Sequence, residues 1–147
     1  MEEKTIATPA ASTMLASSFN AKLGNRGAFA DDSPRISIMA GGELILTASQ
    51  NKFSPPYAQL FYFGLNPNIR SGTHRIPGPM IKSLIYQERK EGQWTAFGTI
   101  NGSLTLELDQ TRKRFKATCS FTLKNDNESF EGVANMDVYF SEWPTAI

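Results

Sequence analysis

One cysteine and one histidine in 147 residues close off several kinds of chemistry at once. A lone Cys119 admits no intrachain disulfide and no multi-cysteine zinc site. A lone His74 admits no histidine-rich metal centre, and no cysteine or paired aspartate lies at ligand spacing beside it, so no metal and no cofactor is expected. Long apolar runs are missing too. No stretch nears the roughly 20 apolar residues that a membrane-crossing helix needs. The opening Met1-Glu2-Glu3-Lys4 and the small-residue run after it contain no continuous apolar core of about 7–15 residues, so no secretory signal is read. The chain therefore reads as soluble, and as cytoplasmic unless it is exported by another route or a leader has been removed. Neither sign of charge is in excess: 15 Lys and Arg stand against 14 Asp and Glu. That balance gives no electrostatic reason to expect nucleic acid or a membrane surface as partner. Amphipathic helical periodicity, βαβ alternation, a repeat of 20–50 residues, a glycine-rich phosphate loop and a nucleophile elbow are all missing as well.

What the chain has is aromatic core material and a period of two. Ten Phe, four Tyr and two Trp suffice for one hydrophobic core. Leu104, Leu106 and Leu108 alternate with Ser103, Thr105 and Glu107; after a polar turn, Phe115, Ala117, Cys119, Phe121 and Leu123 alternate with Lys116, Thr118, Ser120 and Thr122. Such alternation predicts two strands of an antiparallel hairpin with one dry face and one wet face. Shorter alternating stretches begin at Phe19, Arg35, Glu43, Tyr57, Met80, Gln93 and Phe130, separated by Gly, Pro, Asn and Asp turns. An edge-like segment lies near Thr73. About nine strands with turns every 8–12 residues predict an all-β fold, a single-domain antiparallel β-sandwich or β-barrel. Residues 1–14 read as a flexible tail and 15–147 as the β domain. Periodicity does not separate sandwich from barrel, since both bury alternate residues.

Several of these segments carry a resemblance. Phe19-Asn20-Ala21-Lys22 opens the fold, the apolar strand 43–48 follows, and Gly72-Thr73-His74 comes after the central strand. Gly102-Ser103-Leu104-Thr105-Leu106, the strand from Lys116 to Phe121, and Glu131-Gly132 then close it. In this order they resemble a family of small bacterial all-β, lipoprotein-like domains of unknown function, over residues 18–140. The resemblance implies the fold and no catalytic residue. The lipoprotein leader and its acylated cysteine are unmatched, so membrane anchoring is not carried over.

Each candidate for chemistry has a plain structural counterpart. Cys119, on the apolar face beside Ala117 and Phe121, reads as core. Glu107 and Asp137 could point the same way, but both belong to the polar face of their strands. Asp126 and Glu128 sit in a turn that lacks the glycine and distal glutamate of a calcium loop. Arg112-Lys113-Arg114 reads as a solvated hairpin tip. The best binding candidates are Tyr57, Phe61, Tyr62, Phe63 and Trp94, with His74 added, because aromatic side chains with a polar tip suit interfaces. On the run 57–63 both alternating sets hold large apolar residues, so either both faces are covered or one carries exposed aromatics. The function expected is a non-catalytic module binding a partner protein or small ligand. The alternatives are a hydrolase-like enzyme using His74 with a nearby acid, and a structural subunit that oligomerises through an edge strand.

Overall fold

A computed structural model describes residues 16–53 and 56–143. The tail expected over residues 1–14 lies outside them. Ten strands form one antiparallel sheet: β1 (Ser18–Leu23), β2 (Gly27–Asp31), β3 (Arg35–Ile38), β4 (Leu44–Asn51), β5 (Ala58–Leu65), β6 (Gly72–Ile76), β7 (Ile81–Lys90), β8 (Gln93–Asp109), β9 (Arg114–Lys124) and β10 (Ser129–Tyr139). The order across the sheet is β2-β1-β10-β9-β8-β7-β5-β4-β3, with β6 pairing to β8. The fold is all-β, as the alternation requires.

The sheet curls until its far edges approach, as twisted sheets of many strands do. Where β2 nears β4, side chains supply hydrogen bonds in place of a ladder. Ser49 N donates to Asp31 Oδ2 at 2.8 Å, Ala30 N to Gln50 Oε1 at 3.3 Å, and Lys52 Nζ to the Ala28 carbonyl at 3.1 Å. Inside the curl, Phe19 of β1 and Phe29 of β2 meet Phe61 and Phe63 of β5. Ring centroids are 5.1 Å apart for Phe19–Phe61 and 4.9 Å for Phe29–Phe61. Side chains from opposite walls thus fill the interior.

Two differences from the sequence reading have local causes. β2 was not expected, because Gly-Ala-Phe-Ala-Asp offers a single large apolar residue; that residue, Phe29, is the inward one. It is reached through a 3-10 turn over Gly24–Arg26, where Gly24 and Gly27 take positive φ (41° and 78°) that other residues resist. β8 runs unbroken through Asn101-Gly102, although the stretch from Gln93 and the one holding Leu104 were expected as separate strands. A register shift between Thr99 and Asn101 absorbs the irregularity and leaves Ile100 exposed. The first half of β8 pairs with β7 and the second with β6. The expected hairpin is present as β8 and β9, with Cys119 buried and its thiol pushed up to about 12 by burial.

Candidate functional site

Alternation on β5 resolves the aromatic run. Phe61 and Phe63 point inward and are fully buried, while Tyr62 points outward at 36% exposure. Phe61 and Phe63 are thus core residues that a ligand on the outside does not touch: they sit at the positions whose neighbours are Phe19, Phe29 and Tyr86. Tyr57 lies just before β5, its N–H donating to the Arg89 carbonyl at 3.1 Å, and is 40% exposed.

Cross-strand register assembles the outward face. Tyr62 is opposite Ile85 of β7, which is opposite Gly98 of β8. Leu60, Gln87 and Ala96 form the next row, and Ala58, Arg89 and Trp94 the one after. Tyr62 and the Trp94 row are therefore separated by roughly 13 Å along the strands. Trp94 is 51% exposed, and the Arg89 guanidinium lies 5.7 Å from its ring centroid. Ile100 extends the face past the bulge.

His74 is elsewhere, on β6 opposite Leu104. Its Nε2 donates to the Arg70 carbonyl at 2.6 Å, which fixes the proton on that nitrogen. Among the described residues no carboxylate or hydroxyl hydrogen-bonds to its ring. The acids are dispersed. Glu107 and Asp137 share the outward face but have Lys116 between them, and Arg114 grips Asp137 through two hydrogen bonds of 2.8 and 2.6 Å. Arg114 is thereby part of an ion pair and not of a free basic tip. Among the described residues no group of three metal-ligating side chains assembles.

The densest polar cluster escaped the sequence reading. Arg26, in the turn after β1, donates from Nε and Nη2 to the two oxygens of Glu88 at 3.0 and 2.9 Å. It also donates from Nη1 and Nη2 to Glu128 at 2.8 Å each. Its guanidinium is stacked 4.1 Å from the Phe130 centroid and 5.2 Å from that of Phe97. Tyr86 donates its hydroxyl to Glu88 at 2.9 Å and accepts from Gln59 Nε2 at 2.8 Å. Burial alone would raise the Glu88 carboxyl, but the hydrogen bonds from Arg26 and Tyr86 outweigh it and hold the group below its ordinary value. Burial raises the Tyr86 hydroxyl, which stays protonated. A fixed carboxylate locked to a fixed guanidinium has no proton to exchange near neutrality. The cluster closes one end of the curled sheet, with Gln59 Oε1 left unpartnered among the described residues. The signal was present in Leu84-Ser83-type alternation: Leu84, Tyr86 and Glu88 fall on one face, which places an acid at an inward position.

No protein-family model, no curated protein and no solved structure matches this chain.

Proposed function

We propose that this protein is a non-catalytic binding module that engages a partner protein through the outward face of β5, β7 and the first half of β8. One observation carries the reading. Tyr62 and Trp94 stand outward on one face, their rows roughly 13 Å apart along the strands, with Ile100 exposed further along β8, while Phe61 and Phe63 of the same run are sealed in the core. Trp, Tyr and Arg are the side chains that dominate protein interfaces, and Arg89 over Trp94 supplies the third. The filled interior directs binding to the outside of the sheet.

The test is parallel capture from the native source on immobilised wild type and on Tyr62→Ser/Trp94→Ser, followed by calorimetric titration of the captured protein against both. A partner that binds the variant about 30–100-fold more weakly supports the reading, since two interface anchors carry roughly 2–3 kcal/mol. Equal affinity for both proteins would remove it. Concentration-dependent self-association lost in the variant would make the partner a second copy of the chain.

A further inference from the structure

A second surface, on the outward side of β1, β10, β9, the second half of β8 and β6, is concave. Two glycines lie beneath it. Gly132 of β10 and Gly102 of β8 flank Phe121 of β9 in one cross-strand row. A Cβ on Gly132 would lie 2.5 Å from Phe121 Cε1, and one on Gly102 would lie 2.7 Å from the Ser120 carbonyl oxygen. The missing side chains let the Phe121 ring lie close under the sheet, and the outward face above it is a groove of about 590 Å³. The groove continues over Thr118 and Asn135 into a hollow of about 330 Å³. Such volumes match those of small-ligand sites.

The row that crosses this groove runs Lys22, Val133, Ser120, Ser103, Arg75. Lys22 and Arg75 therefore line the groove from the two ends of one row, their backbones roughly 19 Å apart across four strand spacings. Among the described residues neither forms an ion pair, and Glu131 is the one acid that shares their end. The opposite end is the row Asp137, Lys116, Glu107, where Arg114 neutralises Asp137 and Lys116 stands beside Glu107, leaving no excess of positive charge. The groove is thus polarised. Along its floor the side chains of Ser103, Thr118, Ser120 and Asn135 are outward and, among the described residues, make no hydrogen bond to the protein. Hydroxyl and amide groups both donate and accept, which is what a polyhydroxylated ligand requires. No aromatic ring faces the groove from its outward row, so a nucleobase has nothing to stack on.

We infer that this groove binds an acidic oligosaccharide, its carboxylate or sulfate between Lys22 and Arg75 and its hydroxyls along the Ser120–Asn135 floor. The site is separate from the aromatic face and does not rest on it.

Calorimetry of the intact chain at low salt with trigalacturonate, a sulfated disaccharide, maltotriose and triglutamate tests this. At least one acidic sugar should bind, with maltotriose and triglutamate at least about tenfold weaker. Lys22→Gln/Arg75→Gln should lose at least about tenfold. Ser120→Val, which suits a strand but fills the floor, should lose a similar factor with unchanged thermal unfolding. The Tyr62→Ser/Trp94→Ser variant should bind the sugar as wild type does, which separates this site from the aromatic one. Failure of both acidic sugars to bind at about 10 mM overturns the inference, because that is weaker than any useful affinity. Triglutamate binding as tightly as the sugars, or indifference to Ser120→Val, overturns it too by reducing the groove to unspecific charge attraction.

Discussion

Arg26 joins three parts of the chain that sequence distance keeps apart: its own turn, Glu88 at 62 positions away and Glu128 at 102. Its side chain is 5% exposed and that of Glu88 3%, so the pair is desolvated on both sides. A buried pair of this kind adds little over an apolar replacement, but losing one partner strands the other's charge. We expect Arg26→Met to cost about 3–5 kcal/mol in urea unfolding. Arg26→Met/Glu88→Met should recover most of that loss, and Arg26→Lys should not, because an ammonium cannot fork to two carboxylates. A double variant as unstable as the single one would show that the packing of Arg26 over Phe130, and not its charge, holds the end of the sheet together. The inward acid was legible in the alternation of β7, but its partner was not. A guanidinium between two glycines reads as a surface turn, and only the curl of the sheet brings both acids to it.

β8, β9 and β10 show where sequence periodicity suffices and where it stops. The inward and outward sets of β9 and of the second half of β8 were read correctly from alternation alone, since a pleat enforces a period of two and each strand has one buried face. The same rule separates Tyr62 from Phe61 and Phe63, although the sequence left open which set was outside. Alternation could not give the sheet order, the unbroken β8 or the short β2, which depend on pairing between distant residues. Nor could it give the groove, or the inward row in which Gly102 and Gly132 flank Phe121. That arrangement makes Gly132 a packing residue. A methyl group there meets the Phe121 ring, which is itself held in the core, so Gly132→Ala should lose about 1–3 kcal/mol through overpacking. Gly132→Ala/Phe121→Leu should lose less than the sum of its single variants, as contacting residues do. Strict additivity in thermal or urea unfolding would mean that the ring and the glycine are not in contact.

Ion pairs at both ends of the curled sheet tie its stability to pH. Glu128 is held below its ordinary value of 4.5 chiefly by the hydrogen bonds from Arg26, and Asp137 below 3.8 by those from Arg114. Glu88, though burial opposes it, is also lowered. A carboxyl whose value is depressed on folding binds fewer protons folded than unfolded in acid, so unfolding takes up protons and stability rises with pH there. The contribution is complete above the ordinary carboxyl values and is lost as pH falls through the depressed ones. The unfolding temperature should therefore be level from about pH 8 to about pH 5 and decline progressively below about pH 4.5. Glu128→Gln should lower the plateau and flatten the decline, because its side chain no longer titrates while Arg26 keeps only Glu88. Asp137→Asn should do the same independently, being at the far end of the sheet from Arg26. A decline that keeps the wild-type onset and steepness in both Glu128→Gln and Asp137→Asn would displace the carboxylate clasps as the acid-sensitive elements of the fold.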